Sequence, residues 1–427
     1  VSSRAAQFLL AVLLLVSAMP DTMAAPVLKE TFVDRYGTSV RDAQFFMAVN
    51  LLGAVAAVPL LVAARRRAGP VALLVAGSLA DAALLGALAA PIGFWPSLAV
   101  RCAEGVTDVV VFAALFDLVR RVSGRHAARG LGLASTPLLL GLGLGAVAGG
   151  LAAQRVAPAA GAGGAEPTAG AVAAAGGDVA LAVFGVSALA SVLVALGAFV
   201  FRRWIGGMAA VEPEDAPGAA SGEAHAERVP HGPLDDRPRP LAWSCAMAFF
   251  DRATGGLITS TLPMVLASFL GYSKGQRGWL IGLPLLLMAA CTGPFGALCD
   301  RVGSLRVRVA AGVAYAAAFA AVPFAASGQA TLALAMLGVG VSAGALFASS
   351  IALAAEAGGG PVGLGSFRAS GDVGFFVGTS LSIAMVSALG GDEPAYGDYA
   401  ATIVAFAVAH GACTGVIVWM ARRRAVS

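Results

Sequence analysis

Three charged residues stand together in the apolar stretch "RCAEGVTDVV", residues 101–110: Arg101, Glu104 and Asp108, spaced i, i+3, i+7. On a helix this spacing puts all three on one face. One cation beside two carboxyls leaves an acid without a counter-charge. In a low-dielectric place such an acid can load and release a proton. The plainer alternative is a structural ion pair that locks this helix to a neighbour. Other ionisable residues lie inside similarly apolar stretches: Asp21, Asp81, the adjacent pair Asp251 and Arg252, and His410. Asp251 and Arg252 point about 100° apart on a helix, so they need different partners. His410 reads as a packing residue.

The elements that carry these groups follow from composition. The chain has 427 residues, 58% hydrophobic and 12% charged, with a mean hydropathy of +0.83. Soluble proteins carry roughly 25% charged residues. The apolar residues come in blocks of about 20, the length that crosses a bilayer as a helix. The blocks do not alternate in polarity, and Ala, Leu and Gly dominate them, which argues against strands. Cys102, Cys245, Cys291, Cys299 and Cys413 lack metal-like spacing and read as free buried thiols. No metal site and no cofactor is expected. The net charge of +4 does not suggest nucleic acid as a partner.

Twelve blocks can span. The first six lie at 6–30, 41–64, 70–90, 96–119, 128–153 and 179–201. The second six lie at 241–268, 277–298, 306–326, 330–355, 368–389 and 399–421. Residues 1–26 have the outline of a signal peptide, but the apolar run passes the small-residue site and the even topology needs it as a helix. With both termini in the cytoplasm, the inner loops hold the arginine clusters 65–67, 120–129, Arg202 with Arg203, Arg301 with Arg306 and Arg308, and 422–424. The only lysines, Lys29 and Lys274, fall outside. This is a positive-inside pattern. Residues 202–240 are polar and Pro-rich, and read as a disordered cytoplasmic linker between an N-terminal half, 1–201, and a C-terminal half, 241–427. Residues 154–178 read as a low-complexity outer loop. The halves echo each other: "SAMPDTMAAP" and "MAFFDRATGG" each place an aspartate mid-block in the first helix of a half. Such an echo points to a parallel repeat.

Three motifs carry a family resemblance. "GALCDRVGSLR", Gly296 to Arg306, resembles the loop signature G-x-L-x-D-R-x-G-R-R of the major facilitator superfamily, with Ser304 in place of the first basic residue. Here Gly296 is expected to allow close helix approach, Asp300 to accept from a helix N-terminus and Arg301 to pair across the loop, with Gly303 completing the motif. The matching loop of the first half keeps basic residues and Gly69 but lacks the aspartate. "RCAEG" resembles the R-x-x-Q-G signature of helix four in the proton-coupled antiporters of that superfamily, with Glu104 in place of Gln. "GLGLGAVAGG" resembles their helix-five signature G-x-x-x-G-P-x-x-G-G, with Ala146 in the proline position. Its Gly141, Gly145, Gly149 and Gly150 would form a flat face for close packing.

The resemblance implies an all-α membrane protein of twelve transmembrane helices, in two pseudo-symmetric six-helix halves around a central cavity lined by helices one, four and seven. It implies a secondary transporter rather than an enzyme, driven by a proton gradient and exporting a small organic compound across the cell membrane. Its partners would be that small molecule and the lipid bilayer, and the chain would work as a monomer. Arg101, Glu104, Asp108, Asp21 and Asp251 become the candidates for proton coupling. Glu104, one turn from Arg101, would be its ion-pair partner, and Asp108, near the midplane, the proton carrier. Uptake by proton symport, or a transporter-like sensor or assembly factor that does not transport, are the alternatives. The chain holds no Walker loop and no HExxH pattern.

Overall fold

The computed structural model describes residues 3–65, 67–123, 127–156, 168–204, 241–326, 328–357, 360–391 and 394–426. The described residues fold into twelve long helical rods. The first, α1 (Ser3–Ala18), breaks at Met19 and continues through a short turn (Pro20–Met23), a 3-10 turn (Ala25–Val27) and a π-turn (Lys29–Asp34). Pro20 causes the break: it has no N–H, and its ring clashes with the carbonyl four residues back. Then come α2 (Val40–Arg65), α3 (Pro70–Ala89), α4 (Phe94–Ser123), α5 (Ala127–Val156) and α6 (Ala169–Val200). The second set is α7 (Leu241–Ser268), α8 (Lys274–Val302), α9 (Ser304–Ala325), α10 (Gln329–Glu356), α11 (Gly360–Gly390) and α12 (Tyr396–Val426).

Among the described residues, nine segments are long and apolar enough to cross a membrane. The charges of α4 keep it out of that count: each of its 18-residue windows holds more than two. The bundle is therefore a multi-pass membrane protein. The linker expected at 202–240 lies outside the described residues apart from Arg202–Trp204.

The outer loop expected at 154–178 needs correction. Residues 157–167 lie outside the described residues, but α6 already starts at Ala169, capped by the Thr168 hydroxyl accepting from Ala171 N at 3.3 Å. Its first turns, "AGAVAAAGG", are alanine-rich, and alanine has the strongest intrinsic helix preference. Low complexity here marks the start of a helix rather than a loop.

Buried apolar clusters hold each set of six together. Leu10, Leu14, Leu74, Leu115 and Val194 join α1, α3, α4 and α6. Leu257, Phe319, Met336 and Phe406 join α7, α9, α10 and α12. Glycines then set which helices cross most closely. A Cβ on Gly141, Gly145 or Gly149 of α5 would overlap the carbonyls of Leu15, Met19 or Met23 on the first rod. In the second set, a Cβ on Gly374 or Gly378 of α11 would overlap the carbonyls of Phe249 or Ala253 on α7. The fifth rod of each set thus lies on the first by the same device: small residues that let backbones touch.

Gly150 faces elsewhere, against Lys274 O and Gly278 of α8, so α5 bears two glycine faces, one toward α1 and one joining the two sets of helices. The seam is reinforced at the Lys274 end. Gly275 N donates to Gln154 Oε1 at 3.0 Å, and Arg277 makes a two-pronged ion pair with Glu30.

Candidate functional site

The break in the first rod and the "RCAEG" turn of α4 meet in the first set of helices. Arg101 and Glu104 are buried, and the Arg101 Nη1 group donates to both Glu104 oxygens. Its Nη2 group donates to the backbone carbonyl of Asp21 at 3.4 Å, and the guanidinium lies 5.2 Å from the Phe46 ring centroid. The interrupted helix thus presents both a carbonyl and a carboxyl to α4. Carboxyl oxygens of Asp21, Glu104 and Asp108 come within 4.8 Å of one another. One Asp21 oxygen is buried with no hydrogen-bond partner among the described residues.

The residue that joins these acids is Asn50 of α2. Its Nδ2 donates to Glu104 Oε2 at 2.9 Å and to Asp108 Oδ2 at 2.8 Å. Two glycines permit this reach. A Cβ on Gly105 would strike Asn50 O, and a Cβ on Gly53 would strike Cys102 O. The glycine of "RCAEG" is thus the contact at which α2 crosses α4 closely enough for a short amide to span two acids. Sequence reasoning missed Asn50, although a lone amide within "FFMAVNLLGAV" was a signal that could have found it.

A fourth acid extends the network. Asp81 of α3 is buried; its oxygens accept from Thr107 Oγ1 at 3.1 Å and from Ser191 Oγ of α6. The Thr107 hydroxyl also lies 2.8 Å from Glu104 O, which ties Asp81 to the α4 turn.

Asp251 does not join this cluster. It pairs within the second set, where Arg308 Nη2 of α9 donates to its Oδ1 at 2.8 Å and Ser350 Oγ of α10 to its Oδ2 at 3.4 Å. Arg308, expected among the loop cations, is instead buried. Four residues into α9 it already lies inside the bundle, and there the Asp251 carboxylate supplies the counter-charge that a buried guanidinium needs. Arg252 points away from Asp251, and its stem flanks Gly371 of α11.

The loop motif behaves differently from its expectation. Gly303 has φ +93°, a conformation that favours glycine, and both ends α8 and begins α9. Ser304, the departure from the signature, donates to Glu356 Oε1 of α10 at 2.6 Å. Asp300 and Arg301 are exposed, with no hydrogen bond or ion pair among the described residues. Gly296 has open space where a Cβ would stand, so it serves no close approach.

No known family profile matches the chain, and no curated protein matches it by sequence. Solved structures do. A bacterial homolog of the human lysosomal transporter Spinster, in an inward-facing and occupied conformation, matches with TM-score 0.70 at 12% identity, covering 98% of this chain and 96% of that one. The same homolog, inward-facing and unoccupied, matches with TM-score 0.68 at 13% identity over 99% and 97% of the two chains. A D-xylose–proton symporter matches with TM-score 0.67 at 13% identity over 96% and 97%. With twelve rods, equivalent α1–α5 and α7–α11 crossings in its two sets, and end-to-end correspondence to these structures, the chain has the major facilitator fold.

Proposed function

We propose that the chain is a proton-coupled secondary transporter that moves a small organic compound by alternating access, in the export direction, across the cell membrane with both termini in the cytoplasm. The observation that carries this reading is the buried cluster at the α1 break: three carboxyls, Asp21, Glu104 and Asp108, around one guanidinium, Arg101. Burying unpaired charge costs several kcal/mol per ion, so two surplus carboxylates at this depth call for protons or a cationic partner. Glu104 is occupied by Arg101, whereas Asp108 is held by the neutral Asn50 amide. Of the two α4 acids, Asp108 is therefore the one freer to exchange its proton for substrate.

Alternating access needs two halves that can part. The α5–α8 seam and the Glu30–Arg277 pair join them at one end. The "RCAEG" turn favours export. Uptake by symport uses the same acids in the opposite direction, and the fold is shared with a sugar–proton symporter. Thermal-shift screening against a compound library first finds a ligand; at 100 times its Kd it adds about 2.7 kcal/mol. Proteoliposomes with an imposed pH gradient then decide. Substrate moving uphill against the proton flow supports export, and movement with the proton makes the protein a symporter. Binding without proton-linked flux would leave a sensor.

A further inference from the structure

The second set of helices holds a buried polar cluster that the proposed transport cycle does not use. His410 of α12 is 2% exposed. Neither ring nitrogen has a hydrogen-bond partner among the described residues. That is an anomaly for a buried imidazole, whose neutral ring carries one donor and one acceptor. The ring is nonetheless aimed. Its Nε2 lies 3.8 Å from Asp251 Oδ1, just beyond hydrogen-bond reach. The ring sits at a tilt of 48° to Tyr315 of α9, with centroids 4.8 Å apart. Tyr315 is itself fixed, because its hydroxyl donates to Thr254 Oγ1 of α7 at 2.8 Å.

The oxygen that His410 faces is already held by Arg308 Nη2 at 2.8 Å. Arg308 in turn keeps Nη1 unpartnered among the described residues. Two donors thus converge on one carboxylate oxygen, Asp251 Oδ1, and only one is engaged. The Asp251 side chain keeps 18% of its surface accessible, so the cluster is not sealed from a proton.

The charged and titratable groups around the ring are Asp251 of α7, Arg308 and Tyr315 of α9, and Cys413 on α12 itself; Ser350 of α10 adds a hydroxyl to Asp251. The charged residues of α11, Arg368 and Asp372, lie 4.0 Å from each other, in an ion pair of their own.

We propose that His410 is a proton-binding site of the second half, with Asp251 as its counter-charge and Arg308 as its competitor. A proton taken from water onto the ring makes both nitrogens donors. Nε2–H then closes on Asp251 Oδ1 and loosens the Arg308 contact that ties α9 to α7. No bond other than N–H forms, and loss of the proton returns Asp251 to Arg308. The site stands on this cluster's geometry and does not depend on what the α4 acids do.

The test needs no substrate. The chain carries four histidines, so histidine-labelled protein in lipid nanodiscs gives a countable set of ring resonances. His410→Gln assigns the resonance; a variant lacking His126, His225 and His231 assigns it independently. The pH is swept from about 5 to about 9, around the ordinary imidazole value. The His410 resonance is expected to titrate. Asp251→Asn should move its midpoint to lower pH by about one unit, because the anion that steadies the charged ring is gone. Should that variant not fold, Asp251→Glu keeps the charge, brings it one methylene closer, and should move the midpoint upward. A His410 resonance that stays fixed across the sweep overturns the proposal. So does a midpoint indifferent to the substitution at Asp251.

Discussion

The two halves solve the burial of charge in opposite ways. Around Arg101 there are three carboxyls, two of them bridged by a neutral amide, and the cluster has too much acid for its cation. Around Arg308 there is one carboxyl, balanced already, with an imidazole waiting beside it. A proton therefore removes charge from the first cluster and adds charge to the second. The difference teaches that a buried ionisable group is read by its count of partners, not by its presence. Asp21 and Asp251 occupy corresponding places in the sequence echo, yet one contributes to a surplus and the other completes a pair.

Removing each arginine should separate the two designs most widely. Arg101→Ala leaves three carboxyls buried without their cation, and breaking a buried pair costs about 3–5 kcal/mol. Folded protein should largely be lost, as measured by thermal unfolding and monodisperse yield in detergent. Arg308→Ala leaves a single carboxylate beside a ring that can take up a proton, so the loss should be visibly smaller. Equal damage in the two variants would mean that the surplus in the first half carries no special cost.

The next contrast lies within the first cluster. Asp108→Asn keeps the shape and the Asn50 neighbour but fixes the neutral state. It should abolish substrate-induced proton release from proteoliposomes while leaving substrate binding measurable. Glu104→Gln weakens the hold on Arg101 but restores the residue of the family signature, and should slow coupled transport by no more than about tenfold, about 1.4 kcal/mol. Full coupling in Asp108→Asn with loss in Glu104→Gln would reverse the two roles. Full coupling in both would make the α4 face a structural ion pair.

Much of this architecture is legible in the amino-acid sequence. The twelve blocks and the three charges on one face of α4 follow from local rules: helical spacing and the length of a membrane span. The break at Pro20, inside the block read as a single span at 6–30, was missed, although proline geometry marks it. The Arg101–Glu104 contact follows from i, i+3 spacing alone. The partners drawn from other helices are not legible there. Asn50, the Arg308–Asp251 pair and the position of His410 depend on helix rotation, which periodicity cannot set in segments apolar on every side. The near-uniform hydrophobicity of α8 and α9 leaves no face marked, so Arg308 reads as one more loop cation. The expected close approach at Gly296 fails for a related reason: a glycine permits contact but does not bring a neighbour.

A smaller effect tests the glycine device that the halves share. Gly149→Leu on α5 and Gly378→Leu on α11 each push a side chain into the carbonyls of the first rod of their set. Overpacking of this kind costs about 1–3 kcal/mol, and both variants should lose folded yield to a similar degree. Gly296→Leu, which meets open space, should leave yield unchanged. A large loss in only one of the first two would show that the halves do not lean equally on this crossing.

The smallest expected effect concerns the contact between halves rather than the clusters inside them. Glu30 of the π-turn and Arg277 of α8 pair across the halves; the Arg277 side chain is 3% accessible and the Glu30 side chain 16%. Glu30→Gln keeps an acceptor for one guanidinium nitrogen but loses the charge. The pair is partly open to water on the acid side, so its loss should weaken this closed end by about 1 kcal/mol, roughly a fivefold shift in the open population. Spin labels placed on the two sides of the seam should report a larger fraction of long distances, with thermal stability nearly unchanged. The exchange Glu30→Arg with Arg277→Glu should bring the short distances back, since the two groups interact chiefly with each other and their coupling is recovered in the double variant. The same exchange of Arg101 and Glu104 should not rescue anything, because the backbone carbonyl of Asp21, the Phe46 ring and Asn50 each require the present residue in its present place. A latch tolerates reversal and a built site does not. If reversing the latch fails to restore closure, Arg277 has further partners at the seam and belongs with the built sites.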